Sequence, residues 1–350
     1  MGRRIFPHIL TILGLVLLWM PRASAAQAGR RVLVLNSYHQ GYEWTDDIVR
    51  GVQDTLRGDG VELLIEYLDE RRRRPGWSTV MRTYLQRKYP PNSIDAIIAS
   101  DDAAVQFLIT HHHDLFPAIP VIFCGVNEYL GSSVYVQNSD DARLWFTGVL
   151  EQLAVKETVE AALRLHPGAT AIVTVGEADI VRYDEDLRRA YPGLTVRRLR
   201  TEHLTIEQIG QEVSRLDDTT IVLLSAFSRD VTKRQFTMIE SAEYVSSHSR
   251  APVYGLNKNT LGHGIIGGAL NDGYYQGREA AKIAQEVLRG VPPSQIGIRE
   301  HPDAVYQFDY KQLQRWGVDM AALPAGSIIV NQPQAFYETY KNLIWTSVAF

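Results

Sequence analysis

Aromatic and hydroxyl side chains gather in Ser37-Tyr38-His39, with Tyr42 and Trp44 close behind. Rings supply apolar contact area and hydroxyls orient a bound molecule, so this cluster suits a small-molecule pocket. The competing reading has Tyr42 and Trp44 capping a hydrophobic core. A second cluster, Ser100-Asp101-Asp102, stands where a strand gives way to a helix. Capping of free helix amides accounts for one of these residues. Two adjacent aspartates exceed that need, and the second is placed to accept a hydrogen bond from a ligand amine or hydroxyl. A ligand carboxylate at the same helix start would be opposed by these acids. In Cys124-Gly125-Val126-Asn127, Gly125 permits close backbone approach to a ligand, and Cys124 reads as a packing residue rather than a nucleophile. Glu177, Phe227, Asn257 and the pair Asn271-Asp272 occupy the corresponding places later in the chain. There Phe227 would close over a bound ring and Asn257 would hydrogen-bond it.

The elements that must position these residues alternate short apolar runs with amphipathic segments of helical length, the pattern of βαβ units and parallel sheets. Strands are predicted at 32–35, 61–67, 96–99 and 121–123, with helices at 46–56, 78–88 and 102–112 between them. Ile48, Val52 and Leu56 recur at a four-residue spacing, which puts them on one buried helix face. A second series has strands at 171–175, 195–199, 221–224 and 253–256, and helices near 153–165, 182–190, 205–215 and 231–247. Each series makes half of an α/β protein: two Rossmann-like lobes with parallel sheets, joined by multiple hinge crossings, and a cleft at the carboxyl ends of the strands. The first lobe is expected from 29–148 plus 268–298, the second from 149–267 plus 299–330.

Composition narrows the function. The chain has 350 residues, 45% of them hydrophobic, and a formal charge of −4, so it lacks the basic excess of a nucleic-acid binder. A single cysteine excludes an intramolecular disulfide and any zinc site built from two thiolates of one chain. His111 to His113 point in different directions on a helix and read as a solvated helix end; no metal or cofactor is expected. Arg71 to Arg74 read as an exposed loop. Residues 1–25, with Arg3 and Arg4, an apolar run and Ala23-Ser24-Ala25, have the order of a secretory signal peptide, the other reading being an uncleaved anchor. Cleavage there removes Arg3, Arg4 and Arg22 and takes the charge to −7. Residues 331–350 form an aromatic and apolar segment that reads as a juxtamembrane stretch and the first turns of a membrane helix, or else as an amphipathic tail. Nothing matches G-x-S-x-G, H-E-x-x-H or a P-loop. An enzyme using Asp101 or Asp102 as a base is therefore the remote alternative.

Val32 to His39 with Tyr42-Glu43-Trp44-Thr45 and Gly51 resembles the opening of extracytoplasmic domains similar to ABC-transporter substrate-binding proteins, of the type I periplasmic-binding fold. The resemblance continues in Ala99 to Ala104, Phe123 to Asn127, Gly267-Gly268-Ala269, Leu288 to Pro293, and the stretch from Phe308-Asp309 to Gly317, over most of residues 31–330. It implies a hinged clamshell that closes on a small molecule, with an amino acid or aromatic metabolite as the expected ligand. Relatives of this kind serve as input domains of transmembrane histidine kinases and diguanylate cyclases, which fits the C-terminal segment. The resemblance thus implies an exported sensor domain with a signalling dimer partner; the alternative is a solute-binding protein partnered by an ABC permease.

Overall fold

Within the first strand, Val32, Leu33, Val34 and Leu35 are all fully buried, which a strand needs when helices cover both faces of its sheet. Alternation divides them. Val32 and Val34 join Ala96, Ile98 and Ile122 in the core on one face, while Leu33 and Leu35 join Ile97, Ala99 and Phe123 in the core on the other.

The computed structural model describes residues 29–72, 75–127, 136, 139–176, 181–225, 227–299 and 305–333. In chain order the first half comprises β1 (Arg30–Asn36), α1 (Glu43–Leu56), β2 (Val61–Tyr67), α2 (Trp77–Lys88), β3 (Ala96–Ser100), α3 (Asp101–Leu115), β4 (Val121–Asn127), α4 (Asp140–Trp145) and β5 (Phe146–Glu151). Next come α5 (Val155–Leu165), β6 (Ala171–Gly176), α6 (Val181–Ala190), β7 (Thr195–Arg200), α7 (Ile206–Val213), β8 (Thr220–Leu224), α8 (Met238–His248), β9 (Val253–Gly255) and β10 (Gly267–Leu270). The remainder is α9 (Gly273–Leu288), α10 (Pro293–Ile296), β11 (Ile298–Arg299), β12 (Val305–Asp309), α11 (Tyr310–Arg315) and β13 (Ile328–Val330).

Two parallel sheets result, ordered β11-β5-β4-β3-β1-β2 and β7-β6-β8-β9, and β10-β12-β13 form a small third sheet in the second lobe. The second lobe repeats the two-faced pattern, with Ile172 and Ile221 on one side and Val173 and Val222 on the other. β5 stays in the first sheet through Glu151 and β10 pairs with β12, so the chain crosses between lobes three residues beyond the expected junctions at 148/149 and 267/268.

After crossing back, α9 lies directly on α1. A Cβ at Gly277 would stand 2.0 Å from the Ile48 carbonyl oxygen, and one at Gly51 would stand 2.1 Å from that of Tyr274. The two glycines let the backbones touch, which fixes α9, and with it one hinge strand, against the first lobe.

Two helix starts differ from expectation. α8 begins at Met238 rather than near 231, because Thr237 and Glu240 form a reciprocal capping box. The preceding residues turn instead, with an Arg229–Gln235 bridge and Lys233 at φ 64°. At α3, Ser100 provides no side-chain cap; Ser37 of the neighbouring strand end accepts from the Ala104 amide at 2.8 Å and donates to the Ser100 carbonyl at 2.7 Å. His112 is buried, its Nε2 2.7 Å from the Ile119 carbonyl, so the histidine run is not wholly a solvated helix end.

Candidate ligand-binding site

The carboxyl ends of β1, β3, β4 and β5 face those of β8 and β9 across a cavity of about 130 Å3. The first lobe contributes Tyr38, Tyr42, Trp44, Asp101, Asp102, Asn127 and Glu151, and the second Leu153, Ser225, Met238 and Asn257. Three carboxylates and three aromatic rings therefore share one small space, and no Lys, Arg or His is among its lining residues.

Asp101 is the centre of this arrangement. It sits at φ 68°, in the left-handed region that Asp tolerates better than most residues, and lines the cavity. Its Oδ1 accepts from the Trp44 indole at 3.0 Å and its Oδ2 from the Ser100 hydroxyl at 3.0 Å. Burial pushes its carboxyl up to about 7; the two hydrogen bonds and the Arg71 charge oppose that rise, and the Asp102 charge adds to it. Gly125 makes room for it: at φ 66°, a Cβ there would stand 3.2 Å from Asp101 Oδ1. The Gly125 amide donates to Gln276 Oε1 at 3.0 Å, which ties β4 to α9.

The tyrosines are held as neutral donors. The Asp101 charge, then burial, drives the Tyr38 hydroxyl far above its ordinary range, and burial raises that of Tyr42. Their rings meet edge to face at 4.9 Å, and the Arg71 guanidinium lies over both, 5.2 Å from Tyr38 and 4.8 Å from Tyr42. Asn127 Nδ2 is 3.4 Å from Asp102 Oδ2, and Glu151 accepts from Asn271 at 2.5 Å where two crossings meet.

Of the residues expected from sequence, Tyr38, Tyr42, Trp44, Asp101, Asp102, Asn127 and Asn257 line the cavity. Ser37 and Ser100 do not; both are wholly buried and hold the strand ends to α3. His39 is not among the lining residues; its Nδ1 is 3.6 Å from Asp69. Phe227 does not close over a ligand: it is buried in the second lobe's core, edge-on to Phe236. Asp272 caps α9 through the Tyr274 amide and pairs with Lys258 at 3.2 Å, so it serves the hinge rather than the cavity. Glu177 lies outside the described residues.

Sequence reasoning assigned no ligand role to Glu151, Leu153, Ser225 or Met238, which also line the cavity. Glu151 and Ser225 sit at strand ends, where the same rule that found Asp101 would have found them. Arg71 is exposed, as expected, and its guanidinium also lies over the tyrosines. Among the described residues no group of three or more His, Cys, Asp or Glu is arranged to hold a metal ion, and no helix is long and apolar enough to cross a membrane.

Two lobes of parallel sheet hinged around such a cavity define a periplasmic-binding-protein fold, built to enclose small molecules. The family model described as ABC transporter substrate binding protein matches residues 41–322, and the chain belongs to that family. Its members are non-enzymatic binding proteins, typically extracytoplasmic. Solved structures agree on the fold. The ABC domain from Streptococcus pneumonia in complex with L-Trp shares 18% identity at a TM-score of 0.61, with 86% of this chain and 100% of that one covered. The ligand-free, open structure of a substrate-binding protein with adhesive properties from Clostridium difficile shares 14% at 0.66, covering 87% and 100%. A solute-binding protein from Bacillus halodurans with bound myo-inositol shares 15% at 0.52, covering 81% and 95%. No curated protein sequence matches the chain.

Proposed function

We propose that this protein captures an amine-bearing small molecule, an amino acid or aromatic metabolite, outside the cytoplasm and delivers it to an ABC importer. The observation that carries the reading is the cavity between the lobes, with Asp101, Asp102 and Glu151 beside the rings of Tyr38, Tyr42 and Trp44. Three acids without a basic residue favour a cationic group, and the rings favour an apolar body next to it. The relative from Streptococcus pneumonia, which holds L-Trp, lends support; the one that holds myo-inositol marks the competing ligand class. A ligand touching both lobes would favour the closed arrangement by its differential affinity for it.

A thermal-shift screen of amino acids, aromatic amines, aromatic acids and polyols tests the ligand class. Stabilisation by ammonium-bearing compounds is expected. Stabilisation by polyols alone would refute it.

The second reading, a sensor domain of a membrane signalling protein, rests on the sequence of residues 336–350, where aromatic residues and Lys341 precede an uncharged apolar run. Those residues lie outside the described part of the chain. Sequencing the gene across codon 350 tests this reading: a kinase or cyclase coding region in frame supports it, and neighbouring permease and ATPase genes after a stop codon support import.

A further inference from the structure

A second cavity of about 460 Å3 adjoins the first, and Tyr38 lines both. Their charges differ. The charged residues of the inner cavity are all carboxylates, whereas the outer one is bordered by Arg71 and Glu70 of the first lobe and by Arg229 and Glu240 of the second, together with Gln235, Phe236 and Thr237. We propose that the two cavities form one site that takes a zwitterion lengthwise: ammonium inward against Asp101, Asp102 and Glu151, anionic group outward against Arg71. This rests on the small-molecule reading above and adds the ligand's second charge and its orientation.

Size supports the joining. Small-molecule sites occupy about 300–1,000 Å3. The inner cavity falls short of that range and suits a head group; the outer has room for the body of the ligand, with Tyr38 and Phe236 as apolar walls.

The placement of Arg71 supports the polarity. Its guanidinium lies over the rings of Tyr38 and Tyr42 and shares a hydrogen bond with the Tyr42 hydroxyl, and the five N–H donors of a guanidinium leave others to meet an anion. Among the described residues no ion pair joins Arg71 to a carboxylate. Its neighbour Arg72, by contrast, lies 3.7 Å from Asp69. Glu240 on the opposite wall is committed to the Thr237 amide at 2.7 Å. Arg71 also acts on the inner cavity, where its charge opposes the rise of the Asp101 pKa, so the two ends of the site are electrostatically in touch.

The test is calorimetry on the purified protein with a panel of amino acids, each beside the amine lacking its carboxylate and the acid lacking its amine. Arg71→Met retains an apolar stem over the tyrosines and Arg71→Lys retains the charge. For the best-bound amino acid, we expect the matching amine to bind about tenfold more weakly or worse, as loss of a charge-assisted contact implies. Arg71→Met should cut amino-acid affinity by a similar factor and leave the amine unchanged, and Arg71→Lys should restore part of the loss. Equal weakening of amine and amino acid by Arg71→Met would mean that Arg71 only packs, which overturns this inference while ammonium capture stands. An amine bound as tightly as its amino acid by the unaltered protein would do the same. If no ammonium-bearing probe binds, both the inference and the reading beneath it fall.

Discussion

Trp44 and Asp101, 57 positions apart in the chain, are joined by a hydrogen bond from the indole Nε1 to Oδ1 at 3.0 Å. The bond links α1 to the turn that opens α3, and it sets an aromatic ring beside a buried carboxyl at the floor of the cavity. Its donor helps Asp101 ionise, while burial works against ionisation and prevails, bringing that pKa up to about 7.

A stability prediction follows with a definite sign. The Asp101 carboxyl titrates near 3.8 when unfolded and near 7 when folded, so folding favours its protonated form. That contribution is fully present below pH 4 and lost as pH rises through 7. The interval corresponds to about 4 kcal/mol as an upper bound. Asn fits the left-handed backbone at this position and can accept the indole hydrogen bond, yet it carries no charge. Asp101→Asn should therefore raise the melting temperature of the ligand-free protein at pH 8 by a few degrees or more and leave it nearly unchanged at pH 4. Scanning calorimetry at the two pH values decides; a gain that is the same at both would mean the charge is not the cause.

Ligand affinity should respond in the opposite sense. An ammonium group gains from Asp101 only when the carboxyl is ionised, so affinity for an amine should rise between pH 6 and pH 8. The limit is tenfold per pH unit below the carboxyl's pKa. In Asp101→Asn the profile should be weaker overall and flat over this range. A wild-type profile that is flat as well would place the ammonium elsewhere.

The lobes were legible in the sequence because each central strand is apolar on both faces, as Val32 to Leu35 and Ile221 to Leu224 are, and such runs fit few alternatives to a covered parallel sheet. Tyr38, Asp101, Asn127 and Asn257 were legible because strand ends meet at the cleft. What escaped depends on contacts between segments. The Ser37 hydroxyl supplies an acceptor to α3 where one of Ser100, Asp101 and Asp102 was expected to do so, and no local pattern shows a cap arriving from another strand. The aromatic order of the second lobe was likewise hidden: Phe227 and Phe236 meet edge to face, but packing turns the first into the core and leaves the second on the outer cavity wall.

The contact between α1 and α9 yields a stability test away from the cavity. With a Cβ 2.0 Å from a backbone carbonyl oxygen, Gly277→Ala requires the helices to separate. Alanine's better helix propensity returns about 1 kcal/mol, whereas overpacking costs about 1–3 kcal/mol and more where backbone must move. Net destabilisation is expected, read as a lower midpoint in urea with an unchanged slope. Gly290→Ala, at φ 96° with nothing within 4 Å of the added Cβ, is the control for backbone strain alone.

Lys258 gives the last prediction. Its ammonium, carried on the second lobe, lies 3.2 Å from Asp47 on α1 and 3.2 Å from Asp272 at the start of α9, both buried carboxylates. One cation thus holds two acids at the seam where the lobes turn on one another. Burial lowers the Lys258 pKa and the two acids raise it by more, so the pair of attractions outweighs the desolvation. Removing the cation in Lys258→Met leaves Asp272 without its ion pair and Asp47 with Arg50 alone, a loss of about 3–5 kcal/mol for a fully buried pair and less here, where Lys258 is 28% exposed and Arg50 remains. If repulsion between the acids is the cause, adding Asp47→Asn and Asp272→Asn to Lys258→Met should return much of the stability, because Asn caps a helix about as well as Asp and keeps α9 started. Chemical denaturation of the single and triple variants separates the cases: recovery in the triple variant identifies a charge clasp at the hinge, and a further loss would show that the three side chains hold the seam by hydrogen bonding and packing instead.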